Sequence, residues 1–287
     1  MIMTDYLNYS GAVCVVTGSA SGIAKATTEI LVDLGAEVYT LDMNECTVPG
    51  IKKHIPTDLS VKESIEAAFT QLPDKIDKFF GIAGVMGQDM DIVTAFKINF
   101  IANKYMTEQY VIPRLTEGEY GAIAYLSSVG GSRWLHHIDE YKDIAEAETW
   151  DDMVAAIEAR PVEGKPGPVG YELAKRALNY YIKHRAPTLA TKENRMNVVA
   201  PHYTLTPMLQ RMIDDKTAEG VPESVIFSSK GAFKRLGQPI DAAKAIVFLN
   251  SDMAVYISGH ILYEEGGMQA LIETGKMQVV MDAKTWG

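Results

Sequence analysis

The chain has 287 residues, 47% hydrophobic and 22% charged, with a formal net charge of −10. That length builds one large α/β domain or two small ones around a substantial core, and the composition is ordinary for a globular enzyme. The acidity excludes a nucleic-acid binder, which needs a basic face, and no apolar run approaches the ~20 residues of a membrane span.

Strands are predicted at 12–17, 37–42, 51–56, 79–83, 122–127, 195–200 and 261–264. Helical spacing lies between them. Ile23, Ala26, Ile30, Leu31 and Leu34 share one face until Gly35 stops the helix, and Ile65, Ala68, Phe69 and Leu72 do the same before Pro73. Helical character continues over 92–112, 171–188 and 241–250. Strand and helix in alternation predict a single Rossmann-type doubly wound α/β domain over 1–287. Its sheet is expected to be seven-stranded and mostly parallel, with helices on both faces. The first residues lack the basic and then apolar order of a secretory leader, so a cytoplasmic location is expected. Two cysteines, Cys14 and Cys46, read as unpaired thiols, and the six histidines show no metal-ligand spacing, so no metal is expected.

The first strand runs into Gly18-x3-Gly22-x-Ala24. Gly18 permits a tight turn, Gly22 lets a phosphate approach the backbone, and Ala24 keeps the helix close to the sheet. A turn of this kind by itself can be mere helix punctuation; directly after an apolar strand and before a good helix it reads as a dinucleotide cradle. Asp42 ends the second strand, 42 − 18 = 24 residues past the first glycine. A carboxylate there accepts hydrogen bonds from both ribose hydroxyls and repels a 2′-phosphate. Neither Met43 nor residues 19–21 supply a cation, so NAD(H) is preferred over NADP(H). The plainer alternative is a turn aspartate before Asn44.

Residues 132–169 break the rhythm. This insertion holds Trp134, Tyr141, Trp150 and Met153, carries nine acidic residues against four basic ones, and ends in a Pro/Gly cluster at 161–168. It reads as an acidic helical excursion, either decorative or packed over a cleft or another subunit. Beyond it, Tyr171 and Lys175 stand four apart on one helix face. With fourteen tyrosines in the chain, roughly one such pair is expected by chance, so its weight comes from its place in the order of motifs.

In that order, the glycine turn, Asn99, Ser128 and the Tyr171–Lys175 pair resemble the short-chain dehydrogenase/reductase family over nearly the whole chain. The resemblance implies cofactor contacts from Thr17, Gly18, Ser21, Gly22 and Ile23, from Met43 beside Asp42, and from Asp58 and Leu59 at the adenine. It implies further cofactor contacts from Ala83, Gly84, Tyr171, Lys175 and Pro201, and from Thr206 at the carboxamide. Asn99, Ser128, Tyr171 and Lys175 match the catalytic tetrad; 235–239 and 259–267 match C-terminal landmarks. Two positions depart. Ile82 stands where the family has an asparagine, so a strand-bridging side-chain bond is expected to be lost, and His202 stands where a glycine follows the proline.

A free phenol has a pKa of ~10, and a cation on the same helix face, with another from oxidised nicotinamide, is expected to lower it so that Tyr171 exchanges a proton with a carbonyl or alcohol. Ser128 would hydrogen-bond the substrate oxygen, Lys175 would hold the nicotinamide ribose, and Asn99 would anchor a proton-relaying water. In plainer roles Ser128 is a turn residue, Asn99 satisfies a helix kink and Tyr171 is a packed aromatic. The long insertion, Ser127 to Gly130 and Thr206 to Leu209 further resemble the bacterial 3α-hydroxysteroid dehydrogenase/carbonyl reductase group. That likeness implies a hydroxysteroid or bulky cyclic ketone. A loop region at 203–232, rich in Met208, Leu209, Met212, Ile213, Val221, Val225, Ile226 and Phe227, suits an apolar alcohol or ketone or merely packs a helix pair. The rivals are an oxidoreductase for another secondary alcohol or ketone and a non-catalytic NAD(H)-binding regulator. A homodimer through 241–271 is expected, because the acidic insertion should lie across the Asn99 and Tyr171 helices.

Overall fold

The apolar runs pair side by side. The computed structural model describes residues 6–161, 166–222 and 231–276. Its strands are β1 (Val13–Thr17), β2 (Glu37–Asp42), β3 (Lys53–Pro56), β4 (Lys78–Gly81), β5 (Ala122–Leu126), β6 (Arg195–Pro201) and β7 (Ile261–Glu264). They form one seven-stranded sheet in the order β3-β2-β1-β4-β5-β6-β7. Every pairing is parallel, one step beyond the mostly parallel sheet expected from the sequence. β1 and β4 are neighbours although the chain leaves β1 towards β2 and β4 towards β5. Their following loops therefore diverge and open a crevice at the carboxyl ends of the strands, where open α/β sheets bind ligands.

The helices are α1 (Gly22–Asp33), α2 (Lys62–Phe69), α3 (Ile92–Phe96), α4 (Ala102–Met106), α5 (Lys142–Glu146), α6 (Trp150–Glu158), α7 (Pro166–Ala190), α8 (Pro207–Ala218), α9 (Pro239–Asn250) and α10 (Met268–Glu273). Side chains alternate across each strand, so adjacent residues serve opposite faces. Val16 and Phe80 pack with Ile23 and Leu31 of α1 and Ile246 of α9. Val15 and Phe79 pack with Ile65 and Phe69 of α2 and Leu178 of α7. Both faces are covered, which is why the strands read as continuous apolar runs. Cys14 and Cys46 are buried and free. Among the described residues no helix is long and apolar enough to cross a membrane.

Two findings refine the sequence reading. β4 stops at Gly81 rather than at 83, because the N–H groups of Ile82 and Ala83 donate to Thr17 Oγ1, each at 3.0 Å, instead of extending the ladder. The helix expected over 92–112 is wound irregularly, with π turns at Lys97–Ile101 and Thr107–Val111 on either side of α4.

The insertion lies across α4 and α7. A 3₁₀ segment, Trp134–Glu140, leads into α5 and α6, and Tyr141, Ile144, Trp150, Met153 and Ile157 are buried in the main core. Trp150 meets Tyr105 edge-on at 5.5 Å, and Tyr180 carries both Trp134 and Tyr141 against its ring. The buried Lys104 ammonium donates to the carbonyls of Ala145, at 2.8 Å, and Ala147, where the cation suits the end of α5. Tyr141, Trp150 and Met153 are thus buried within the protein's own core, with Trp134 partly buried against it. They close the outer side of the protein's own helix layer, because the largest apolar groups gain most from full burial.

Candidate active site

The glycine turn is built for an anion. Gly18 and Gly22 have φ of +78° and +56°, a backbone region that L side chains rarely adopt. A Cβ on Gly18 would lie 2.7 Å from Ala83 Cα, so only glycine lets the β1 and β4 loops meet. At the start of α1 the Ser21 side chain makes no capping bond, and the buried Ser19 hydroxyl lacks a protein partner. Uncapped N–H groups at a helix start, beside a spare hydroxyl, fit a pyrophosphate. The Ile23 side chain is buried in the core, which leaves its backbone N–H as the group able to face a ligand.

Around this turn the other residues singled out from the sequence fall at the ends of successive strands. Asp42 Oδ2 accepts from Ala20 N at 3.0 Å and Oδ1 from Asn44 N at 2.9 Å. The carboxylate is therefore both a turn aspartate and a group fixed against the glycine turn, while Met43 beside it is exposed. Asp58 Oδ1 accepts from the Ser60 N–H at 2.8 Å and its hydroxyl at 2.7 Å, and Leu59 is buried. Ile82 has no polar side-chain atom, so the strand-bridging side-chain bond from position 82 is absent, as expected. Thr17, from the opposite side, supplies the bridge through its hydroxyl.

Asn99, Lys175, Ser128 and Tyr171 converge beyond β4 and β5. Asn99, in the first π turn, donates from Nδ2 to Ala95 O at 2.8 Å and Val85 O at 2.9 Å, and its Oδ1 accepts from Val85 N at 3.2 Å. It satisfies the irregular helix and also ties that helix to the loop after β4. A Cβ on Gly84 would sit 2.8 Å from Asn99 Oδ1 and 3.5 Å from Lys175 Nζ, so the glycine keeps this space open. Lys175 Nζ donates to Leu126 O at 2.7 Å and stands 5.6 Å from the Tyr171 ring centre. Burial lowers the Lys175 pKa to about 7. Ser128 Oγ accepts from Gly130 N at 3.1 Å and, with Tyr171 Cε1, borders the space over Gly130.

The expected lowering of the phenol by a cation is not what the protein alone produces. Burial pushes the Tyr171 phenol up, the Ser128 hydroxyl pulls it down, and the Glu172 charge pushes it up again. Lys175 is too deeply desolvated to carry a full charge at neutral pH, so it offsets little of this.

Pro201 ends β6. Thr206 caps α8, accepting from Leu209 N at 3.2 Å, and its methyl would lie 3.2 Å from a Cβ on Gly22. The start of α8 thereby leans on the glycine turn. Leu209, Met212, Ile213 and Val221 pack with Tyr203 and Leu236, which is the helix-packing role for these residues. Val225, Ile226 and Phe227 lie outside the described residues.

Sequence reasoning passed over Glu172, considered below, and Glu264. Glu264 ends β7 and lines a cavity of about 190 Å³ with Tyr203, Phe233 and Arg235. Burial raises its pKa to about 7; the Asp241 and Glu265 charges push the same way and Arg235 opposes. The folded protein holds a proton that the unfolded chain loses near pH 4.5, so this contribution to stability is complete below that pH and is lost as pH rises through 7. Glu264→Gln is expected to flatten the fall in melting temperature between pH 5 and pH 8. With allowance for solvent at this half-buried group, the gain at pH 8 is about 1–2 kcal/mol, or roughly 2–4 °C per kcal/mol. Parallel melting curves for both proteins across that range would remove the assignment.

Comparison with known proteins matches residues 12–142 to the family described as short chain dehydrogenase and residues 152–269 to that described as Enoyl-(Acyl carrier protein) reductase. The chain is 30% identical over 256 residues to a coniferyl-alcohol dehydrogenase of Pseudomonas sp. (strain HR199 / DSM 7063), covering 88% of this chain and 95% of the relative. It is 24% identical over 262 residues to a 3-alpha-hydroxysteroid dehydrogenase/carbonyl reductase of Comamonas testosteroni, covering 91% and 98%. Among solved structures, the 3-alpha-hydroxysteroid dehydrogenase of Pseudomonas sp. B-0831 complexed with NADH superposes with a TM-score of 0.73 at 23% identity, over 92% of this chain and 99% of that one. At that identity the likeness speaks for the fold.

Proposed function

This chain belongs to the short-chain dehydrogenase family, oxidoreductases of CH–OH groups that use a nicotinamide cofactor, and from that premise we propose that it interconverts a secondary alcohol and a ketone with NAD(H). The observation that carries the reading is the convergence of Ser128 Oγ, the Tyr171 ring and the buried Lys175 Nζ beyond β4 and β5, with Lys175 Nζ 5.6 Å from the ring centre. The bound nicotinamide supplies or accepts the hydride. Tyr171 gives its phenolic proton to the carbonyl oxygen, or takes one from the alcohol. Ser128 donates to the same oxygen and steadies the charge that develops on it. Lys175 holds the nicotinamide ribose, and Asn99 keeps the loop after β4 in place beside it. The glycine turn and the start of α1 take the pyrophosphate, Asp42 the ribose hydroxyls, Asp58 and Leu59 the adenine edge, and Thr206 the carboxamide.

For the substrate we favour a hydroxysteroid or similarly bulky cyclic ketone. The Comamonas and Pseudomonas B-0831 relatives support this through their names and through the coverage of nearly their whole length. A second reading, an aromatic allylic alcohol, is favoured by the higher identity to the coniferyl-alcohol dehydrogenase. A panel of steroid, cyclic and cinnamyl alcohols with NAD⁺, followed at the nicotinamide absorbance band, separates the two. Turnover of any of them would exclude a non-catalytic cofactor-binding regulator.

We also place the protein in the cytoplasm as a single-domain homodimer. α5 and α6 sit on α4 and α7, so those helices are not free to pair with their copies. β7 is an edge strand with Tyr263 exposed on it, which supports a contact through the C-terminal region. Light scattering is expected to give twice the 31.5 kDa protomer mass. A tetramer, or a dimer built on α4 and α7, would contradict this.

A further inference from the structure

The space over Gly130 borders the reaction centre on the side of the insertion. A Cβ placed on Gly130 would lie 3.5 Å from Ser128 Oγ, 3.9 Å from Glu172 Cγ and 4.0 Å from Tyr171 Cε1. A hydroxyl, a phenol ring and a carboxylate-bearing side chain therefore surround one point that the protein leaves without a side chain. Glu172 follows Tyr171 directly on α7 and keeps 25% of its side chain exposed. It is neither caged by donors nor lost in solvent.

Its protein partners are few and distant. Arg176 Nη2 stands 3.5 Å from Glu172 Oε2, a long contact for a guanidinium and a carboxylate. The same guanidinium is shared with Glu140, 3.4 Å from Nη1, and Glu140 also holds the His137 ring at 2.6 Å. Arg176 from its own helix and His137 from the insertion are the cations that act on Glu172, and burial outweighs both of them in raising its pKa. A carboxylate offers about four acceptor sites, and acceptor capacity left unfilled in a half-buried place is costly. A hydrogen-bond donor that arrives with the substrate would fill it.

We infer that Glu172 accepts a hydrogen bond from a second hydroxyl of the substrate, on a carbon close to the reacting one, so that the preferred substrates are diols or hydroxy ketones. This rests on the reading of Ser128 and Tyr171 as the reaction centre and narrows it. The insertion contributes indirectly: Glu140 and His137 draw on Arg176 and leave Glu172 the more available acceptor.

The test compares cyclohexanol with cyclohexane-1,2-diol as substrates of the intact protein with NAD⁺. The unmodified protein is expected to favour the diol at least tenfold in kcat/KM. Glu172→Ala should reduce that ratio about tenfold, mainly through KM for the diol, and Glu172→Gln, which keeps a carbonyl acceptor, should restore part of it. A merely structural role would lower both alcohols together and leave the ratio alone. A parent ratio near one, or a ratio unchanged in Glu172→Ala, overturns the inference; oxidation of cyclohexanol that disappears in Tyr171→Phe leaves the dehydrogenase reading intact in that event. Turnover of neither alcohol in either direction also overturns the inference, while the dehydrogenase reading is decided by the wider panel of steroid, cyclic and cinnamyl alcohols.

Discussion

Tyr171→Phe is expected to lower kcat by ~10²–10⁴-fold, the range that general acid–base catalysis supplies, while the protein still binds NADH. The substitution removes one hydroxyl and keeps the half-buried ring. Ser128 retains its bond from Gly130 N, so the loop after β5 stays in place. Cofactor contacts at Gly18, Gly22 and Asp42 lie on other strand ends and should not change. The measurement pairs steady-state rates with NADH titration by fluorescence. Retention of more than about a tenth of the rate would remove Tyr171 from the proton transfer, because a group worth a hundredfold or more cannot be lost so cheaply. Loss of NADH binding would instead show that the ring is needed for the shape of the site.

The cofactor preference should be the next largest effect. The unmodified protein is expected to use NAD(H) at least ~10²-fold better than NADP(H) in kcat/KM, since a fixed carboxylate beside a 2′-phosphate costs several kcal/mol in like-charge contact. Asp42 is well placed for this, because its bonds from Ala20 N and Asn44 N hold it against the glycine turn. Asp42→Ala with Met43→Arg should narrow or reverse the preference: one charge is removed and another of opposite sign is introduced at an exposed position. The same two bonds mean that Asp42→Ala also loosens the turn. Asp42→Asn, which keeps an acceptor oxygen, separates the two effects. Comparable kcat/KM for both cofactors in the unmodified protein would show that the carboxylate serves the turn and not the ribose.

The sequence by itself determined the strand and helix alternation and the glycine turn, because each is written in local terms; the candidate tetrad becomes legible through the order of motifs that the family resemblance supplies. A positive φ needs glycine, an amphipathic helix needs a 3.6-residue period, and a strand buried on both faces needs an unbroken apolar run. Tyr171 and Lys175 were legible for the same reason, as four residues always span one helical turn. What only the tertiary structure decided depends on groups far apart in the chain. The Thr17 hydroxyl replaces the bridge missing from position 82 because β1 and β4 are neighbours, 65 residues apart in sequence. The insertion's aromatics became core because α4 and α7 offered an uncovered face. The π turn at Asn99 carries no periodic signal in the sequence; it comes into view through the side-chain bonds to Ala95 and Val85. Proton affinities at the site followed desolvation. Lys175, chosen from its spacing as a cation, is buried enough to titrate at about 7, and burial raises Tyr171 in the protein alone, so the expected fall is left to the nicotinamide cation to supply. Spacing sets which groups meet, but how much water remains around them is fixed only when the whole chain has packed.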